Sequence, residues 1–311
     1  MVDAEIVMAL LRSNPNMLGL FVIILTTTFE HKLTSKSQFT MHPKYLLTAS
    51  MTLVLGIFIS FAAKGQQHTP SLRASILQDV TGNMAGGIRT GQAQLGLINL
   101  EMSVGTEALK LWKNGNFRLH IQNSYGQKPT ENLVGDLQVY NNIEHGNYTY
   151  LYQLWYKHHF GDLTLLVGKH DMNALFFTSD LAGTYINSSF GIMPVVSLNV
   201  PVSIFPSTTL GFAGRYTISK QLRIQAAIYN GIPGEINHNN FGTDLNLQTS
   251  HGQFYVGEVH WKRPWGDLES TYKMGFFHHS GSFPSMNQSI GYQKGTSGVY
   301  LIADQMLTGR G

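Results

Sequence analysis

The sequence has no cysteine, and only 13% of its 311 residues are charged. The lack of cysteine excludes a disulfide framework and cysteine-based metal or redox chemistry. The charged share is about half of that in a typical soluble domain, and a net charge of +3 is too small to indicate a nucleic-acid surface. The chain is instead rich in glycine (32 residues), phenylalanine (17) and tyrosine (14), which favour strands and turns over helices.

The sequence also lacks the motifs of common enzymes. It contains no HExxH metal motif, no GxSxG nucleophile motif and no phosphate-binding loop. The pairs His158–His159 and His278–His279 lie in predicted strands, so the side chains of each pair point to opposite faces and cannot share one ion. We therefore predict no metal, no cofactor and no enzymatic activity.

The N-terminal region has the pattern of an export signal. Residues 41–65 combine Lys44, a short apolar run at 53–61 and small residues suited to cleavage, as in a secretory signal peptide. Residues 1–40 precede this signal, and we interpret them as a mis-called extension. The alternative is a membrane-anchored hairpin of two helices. We expect residues 66–90 to form a periplasmic or disordered segment, and 91–311 to form the folded part.

From about residue 91 the apolar residues recur with a period of two. In "QLRIQAAIYNG", residues 221–231, Leu222, Ile224 and Ile228 alternate with polar residues, so a strand here has one apolar and one polar face. No segment has a sustained apolar stripe of helical period. The pattern predicts an all-β protein with about nine strands, near 92–102, 116–123, 151–160, 162–170, 209–217, 221–230, 253–261, 268–277 and 299–307.

The connections between these strands alternate in length. Turns near 161, 219 and 265 are short, whereas the segments 127–147, 171–207 and 231–251 are long. Short turns at one end and long loops at the other are typical of an antiparallel transmembrane β-barrel of porin type. An arginine or lysine facing lipid at mid-membrane costs about 2–4 kcal/mol, which places the charged faces toward water. A soluble β-sandwich with buried apolar faces remains the alternative.

One long stretch resembles a known family. Residues 168–216, above all "NSSFG" and "NVPVSIFP", resemble the carbohydrate-selective porins of the OprB type, and "LKLWKNGNFRLHIQNSYG", "YNGIPG" and "YLIADQML" agree with that family. Lys157 departs from it, because the family usually has an acidic residue there.

The resemblance implies a barrel, generally of sixteen strands, in the outer membrane of a Gram-negative bacterium. It implies passive diffusion of mono- and oligosaccharides, with carbohydrate, outer-membrane lipid and the barrel-assembly machinery as partners and a homo-oligomer as an option. The alternative function is a β-rich surface adhesin or sugar-binding protein that does not transport.

Two groups of residues are candidates for contact with sugar. Aromatic rings stack on the apolar face of a sugar, and charged groups form strong hydrogen bonds with its hydroxyls. The polar strand faces supply the lumen-lining candidates Glu101, Arg118, His120, Gln153, Trp155, Lys157, Arg215, Arg223, Glu258 and Lys273. We expect the segment 171–207 to fold against the inner wall and narrow the channel, with Asp171, Asn173, Asn187 and Phe190 as constriction candidates. The alternative is an extracellular cap.

Nine strands are too few for a water-filled barrel, which has about 16–18. We therefore expect an incomplete barrel, truncated at its C-terminus, with an unclosed sheet and a bare edge near residue 300.

Overall fold

The computed structural model describes residues 70–234, 241–247, 250–264, 266, 268–285 and 291–308. The predicted extension at 1–40 and the predicted signal peptide at 41–65 lie outside these residues.

The described residues form one antiparallel sheet in which each strand pairs with the next along the chain. Its strands are Ser71–Asn83 (β1), Gly91–Gly105 (β2), Gly115–Gly126 (β3), Tyr148–Phe160 (β4), Leu163–His170 (β5), Thr209–Thr217 (β6), Leu222–Asn230 (β7), Gln253–Lys262 (β8), Ser270–Pro284 (β9) and Tyr292–Gln305 (β10). The prediction of an all-β antiparallel fold is confirmed.

The sequence predicted about nine strands, and the described residues form ten, because β1 lies in a region expected to be periplasmic or disordered. This strand pairs with β2 from Ser71 opposite Ser103 to Asn83 opposite Gly91. The alternation of β1 is broken at its centre. Leu77 lies on the same face as the polar residues Ser75 and Asp79, and Gln78 lies on the same face as the apolar residues Ile76 and Val80. The strand forms because β2 provides a partner along its whole length, which local periodicity does not reveal.

The two faces of the sheet differ in chemistry. One face, here called the bare face, carries large apolar side chains that remain exposed, such as Ile224 (40%), Val259 (44%) and Met274 (61%). The other, here called the loop face, carries the polar partners of the alternation and is covered in part by long connections. An exposed apolar surface that crosses a whole sheet indicates contact with a membrane or another protein.

The connections separate the sheet into two ends. One end, the turn end, holds the connections 106–114, 161–162, 218–221 and 263–269. The opposite end, the loop end, holds 84–90, 127–147, 171–208, 231–252 and 285–291. The predicted alternation of short and long connections is therefore confirmed. Three exposed aromatic residues of the bare face, Phe160, Tyr216 and Trp261, lie near the turn end, as in the aromatic girdle of a membrane barrel. Phe212 and Phe276 lie in mid-strand, and Tyr255 lies near the loop end.

The sheet is open within the described residues, since β1 and β10 are its two edges and do not pair with each other. An unclosed sheet with an unpaired edge near residue 300 was predicted and is confirmed. The second edge is β1 rather than the strand near residue 92. The C-terminal truncation itself stays a prediction.

The helices are short and lie in the connections. They span Thr130–Val134 (a π-helix), Met172–Ala174, Ala182–Thr184 and Ser188–Phe190 (3₁₀-helices), and Pro194–Ser197 (an α-helix). Among the described residues, no helix is both long and apolar enough to cross a membrane.

Candidate functional site

The connection between β5 and β6, residues 171–208 and here called the β5–β6 loop, lies on the loop face. Phe176 and Phe177, each 1% exposed, belong to a cluster with apolar residues of β7, β8, β9 and β10. The ring of Phe177 lies 4.3 Å from that of Tyr300 and 6.2 Å from that of Phe277. These contacts place this part of the loop against the sheet. That the loop lies on the inner wall and narrows a channel stays a prediction.

A buried carboxylate on β8 holds the β5–β6 loop at Phe177. Glu258 accepts hydrogen bonds from the Tyr300 hydroxyl at 2.7 Å, from Gln225 Nε2 at 3.0 Å and from the Phe177 amide at 3.3 Å. His260 Nε2 donates a fourth bond to the same carboxylate. The carboxylate therefore joins three strands to the loop, and the side chain is completely buried.

Tyr300 reaches Glu258 because the residue opposite it on β9 is a glycine. A Cβ at Gly275 would lie 2.0 Å from the Tyr300 ring, so any other residue here would displace the tyrosine. The glycine gives the ring room to lie across the backbone of β9.

Two more contacts hold the loop on β9 and β10. Lys273 Nζ donates to the Thr178 carbonyl and, at 3.2 Å, to the Thr178 hydroxyl. The next residue, Ser179, donates its hydroxyl to Asp304 Oδ1 at 2.5 Å. Glu258 and Lys273 were predicted to line the lumen, yet they are only 3% and 6% exposed. Both lie on the predicted face, but beneath the loop, where they act as loop anchors.

The start of the loop is fixed by Asp171. Its carboxylate accepts a hydrogen bond from the Tyr152 hydroxyl at 2.6 Å and one from the Asn173 amide at 2.8 Å. Burial raises the pKa of Asp171 to about 6, and these hydrogen bonds oppose the rise. The Met172 amide donates to the Ser203 carbonyl at 2.7 Å, which joins the two ends of the loop, and the Ser203 hydroxyl donates to the His170 carbonyl of β5 at 2.7 Å.

The raised pKa of Asp171 predicts a pH dependence. This carboxyl contributes most to stability below its unfolded pKa of about 3.8, and the contribution is lost as pH rises through about 6. We expect Asp171→Asn to gain stability relative to the wild type between pH 4 and pH 7. Urea unfolding of both proteins in detergent micelles gives the difference in their free energies of unfolding at each pH. The contributions of the other titrating groups are the same in both proteins and cancel in this difference. Parallel pH profiles would contradict the prediction.

The connection between β3 and β4, residues 127–147 and here called the β3–β4 loop, crosses the same face from the other side. Asn141 donates to Asp79 of β1 at 2.7 Å. The Asn142 amide donates to the Ile186 carbonyl at 2.7 Å, which joins this loop to the β5–β6 loop. The two loops thus form a connected chain of contacts from β1 to β10.

Titratable groups within the β3–β4 loop are partly withdrawn from water. Burial raises the pKa of Glu144, against the opposing effect of its hydrogen bonds with Thr130. Burial lowers the pKa of His145. Both shifts indicate that this loop is packed rather than spread over the surface.

A second group of loop-face residues surrounds Trp155, which is partly buried and packs against the apolar cluster beneath the β5–β6 loop. Trp155 is flanked by two cations, with the Arg118 guanidinium 5.9 Å and Lys157 Nζ 5.6 Å from its ring centroid. Arg118 donates to Glu101 at 2.7 Å, and Trp155 Nε1 donates to Gln153 at 2.7 Å. These lumen-lining candidates therefore form one group across β2, β3 and β4, here called the Trp155 cluster. Its members are Glu101, Arg118, Gln153, Trp155 and Lys157.

Two arginines extend this polar surface toward β7. Arg215 Nε donates to Gln225 Oε1 at 3.1 Å, and Arg223 donates to His260 Nδ1. No carboxylate of the described residues lies within 4 Å of Lys157, Arg215 or Arg223. Among the residues that the structure describes, these three cations therefore have no ion-pair partner.

The remaining candidates divide into buried and exposed residues. His120 is 5% exposed and donates to Asn99 at 3.0 Å. Asn173 donates to the Phe176 carbonyl at 3.0 Å within the loop, and Asn187 donates to Asp136 of the β3–β4 loop at 3.0 Å. Phe190 is 46% exposed.

Sequence reasoning missed the partners Gln225 and Tyr300 and the exposed ring of Tyr185. The polar residue at 225 and the aromatic residues at 185 and 300 were visible in the sequence, but nothing local indicated their roles. Within the described part of the chain, no three histidine, aspartate or glutamate side chains are grouped as a metal site.

Comparisons with known proteins agree with this architecture. The family "Carbohydrate-selective porin, OprB family" matches residues 89–311. No curated protein matches the sequence. A structure titled "High pH structure of Pseudomonas putida OprB" aligns with a TM-score of 0.69 and 17% identity, over 77% of this chain and 62% of that chain. The low-pH structure of the same protein aligns with a TM-score of 0.43 and 13% identity, over 88% of this chain and 74% of that chain.

The first of these alignments supports the fold, and this chain spans less than two thirds of the length of that protein. The family match covers more than half of the chain and includes β2 to β10 together with both long loops. The chain belongs to the carbohydrate-selective porin, OprB family.

Proposed function

We propose that this protein is an outer-membrane porin for the passive, sugar-selective diffusion of mono- and oligosaccharides in a Gram-negative bacterium. The observation that carries the proposal is the division of the sheet into an exposed apolar face and a polar, loop-covered face. In this proposal, lipid contacts the exposed apolar face and water contacts the polar face. Outer-membrane lipid and the barrel-assembly machinery follow as partners, with a homo-oligomer as a further possibility. The family is one of transport channels rather than enzymes.

The Trp155 cluster is the proposed sugar contact of the passage. The Trp155 ring offers an apolar surface for the C–H face of a sugar, and Arg118, Lys157 and Glu101 offer charge-assisted hydrogen bonds to hydroxyls. These side chains are partly exposed, so each keeps some surface for contact with a solute. Contact must stay weak, because a solute that enters the passage must also leave it.

The two long loops are the proposed constriction. The β5–β6 loop is anchored on β7 to β10, and the β3–β4 loop is anchored on β1, so together they cross the face that water occupies. Anchored loops set a fixed width for the passage, which limits the size of the solute that passes.

Liposome swelling tests the proposal. Vesicles that contain the full chain are placed in isotonic solutions of sugars of increasing size, from a pentose to a trisaccharide. We expect swelling that slows as the sugar grows, and no swelling in protein-free vesicles. A surface adhesin or binding protein would bind sugar and leave the swelling rate at the protein-free level, which would overturn the transport proposal.

Replacement of Trp155 tests its part in the passage. We expect Trp155→Ala to raise the glucose concentration that half-blocks the ion current by about two- to ten-fold, because it removes a stacking surface worth about 0.5–1.5 kcal/mol. Trp155→Phe should keep most of the affinity for glucose, because it keeps an aromatic face. Trp112→Ala is the matched control, since Trp112 is half exposed in the connection 106–114 and contacts Tyr156 of the bare face rather than the Trp155 cluster. Equal block in the Trp155→Ala and wild-type proteins would contradict the role of Trp155.

A further inference from the structure

Two aromatic side chains of the β5–β6 loop are turned away from the loop core. The rings of Tyr185 and Phe190 stack with centroids 4.5 Å apart and planes at 26°. They are 57% and 46% exposed, whereas Phe176 and Phe177 of the same loop are 1% exposed. The loop therefore buries one pair of its aromatic residues and presents another pair to solvent.

The backbone around this pair is fixed, so the exposure does not come from a loose segment. The Asn142 side chain donates to the Tyr185 carbonyl at 3.1 Å, and the Asn142 amide donates to the Ile186 carbonyl at 2.7 Å. The Ser188 amide donates to the Val139 carbonyl at 3.1 Å. The β3–β4 loop thus holds both sides of the turn that carries the two rings.

Hydrogen-bonding groups lie on the same turn of the loop as the rings. Between Tyr185 and Phe190, Asn187 donates to Asp136 at 3.0 Å, and Ser188 donates to Asn142 at 3.0 Å. Carboxylate and amide oxygens can each accept more than one hydrogen bond. The outer face of a stacked ring, with amide, hydroxyl and carboxylate groups on the same turn of the loop, suits a pyranose ring, which has apolar C–H faces and hydroxyls around its edge.

We propose that Tyr185 and Phe190 form a binding site for a pyranose ring at the loop end of the sheet, separate from the Trp155 cluster. The sugar stacks a C–H face on the outer face of one ring of the pair, and its hydroxyls bond to Asn187, Asp136 and Asn142. This inference rests on the proposed function for its ligand class.

Saturation-transfer NMR on the full chain in detergent micelles tests the site, with D-glucose as the probe. D-Sorbitol is the matched ligand control, since it carries hydroxyls on an open chain and has no ring face. The protein variants are Tyr185→Ala with Phe190→Ala, and Tyr185→Leu with Phe190→Leu. The leucine pair keeps apolar bulk and removes the flat faces.

We expect the alanine pair to weaken glucose binding by about three- to ten-fold, the leucine pair to weaken it similarly, and sorbitol to give little signal. Tyr185→Phe should bind glucose like the wild type. Equal binding of sorbitol, or wild-type binding by the leucine pair, would overturn the proposal. So would a change of oligomeric state in the alanine pair with unchanged glucose binding, which would assign the rings to a contact between copies.

The swelling experiment separates the two proposals. If wild-type vesicles do not swell while glucose binding depends on Tyr185 and Phe190, the transport proposal fails and the binding site stands. If the vesicles swell and glucose binding is insensitive to both residues, the binding site fails and transport stands.

Discussion

Glu258→Ala is expected to release the β5–β6 loop from the sheet and to widen the passage. The substitution leaves four hydrogen-bond donors without their acceptor, on Tyr300, Gln225, His260 and the Phe177 amide. A single buried polar group left unsatisfied costs about 1–3 kcal/mol. Because about 1.4 kcal/mol changes an equilibrium tenfold, we expect the population of the released loop to rise at least about tenfold.

Limited proteolysis with chymotrypsin measures this release. Trypsin cannot cut the loop, because positions 171–208 contain no lysine or arginine. Phe176 and Phe177 are chymotrypsin sites that are buried and become accessible only when this part of the loop leaves the sheet. Cleavage after these two residues, identified by mass spectrometry, should accelerate in proportion to the open population. The single-channel conductance should rise in the same variant.

Glu101→Ala is the matched control for this experiment. Glu101 is also a carboxylate of the loop face, but its partners are Arg118 and His120 of β3 rather than the loop. We expect its cleavage pattern at Phe176 and Phe177 to equal that of the wild type. Unchanged cleavage in Glu258→Ala would show that the apolar cluster and the other hydrogen bonds hold the loop without Glu258.

Lysine substitutions at two adjacent residues of β1 are expected to differ strongly in their effect. Ile76 lies on the bare face and is 70% exposed, while Leu77 lies on the loop face and is 44% exposed. If lipid covers the bare face, Ile76→Lys should lower the free energy of unfolding from the bilayer by about 2–4 kcal/mol, as for a cation at mid-membrane. Leu77→Lys faces water and should cost about 1 kcal/mol or less, the value of a lost cross-strand pair.

Unfolding by guanidinium chloride from lipid vesicles gives both values, since the two residues share one strand and one depth. Ile76→Leu serves as a control for the loss of the native side chain without a charge. Equal costs for the two lysine substitutions would mean that the faces do not separate lipid from water, and the transport proposal would lose its main support.

The faces and the connections of the sheet could be predicted from the sequence because both are local properties. Side chains alternate along any strand, so Ile224 and Val259 are assigned to one face and Arg223 and Glu258 to the other without knowledge of their neighbours. The same local signal failed at β1, where Leu77 and Gln78 break the alternation. There the pairing with β2 determines the structure.

The roles of individual polar residues could not be predicted in the same way. Glu258 and Lys273 were assigned to the correct face, but that face is partly covered by a loop that reaches them from far along the chain. The contact of Phe177 with Glu258 joins residues 81 positions apart, and that of Thr178 with Lys273 joins residues 95 apart. The period of a sequence pattern carries no information about contacts between residues so far apart in the chain.

The sequence alone thus determined a one-sided antiparallel sheet with long loops at one end, because alternation and turn length depend on neighbouring residues. Only the tertiary structure decided which polar residues stay open to water, which anchor the β5–β6 loop, and that Tyr185 and Phe190 meet on its surface. Those outcomes depend on how a long connection returns to the sheet. That path is set by packing and hydrogen bonds between residues that are remote in the chain.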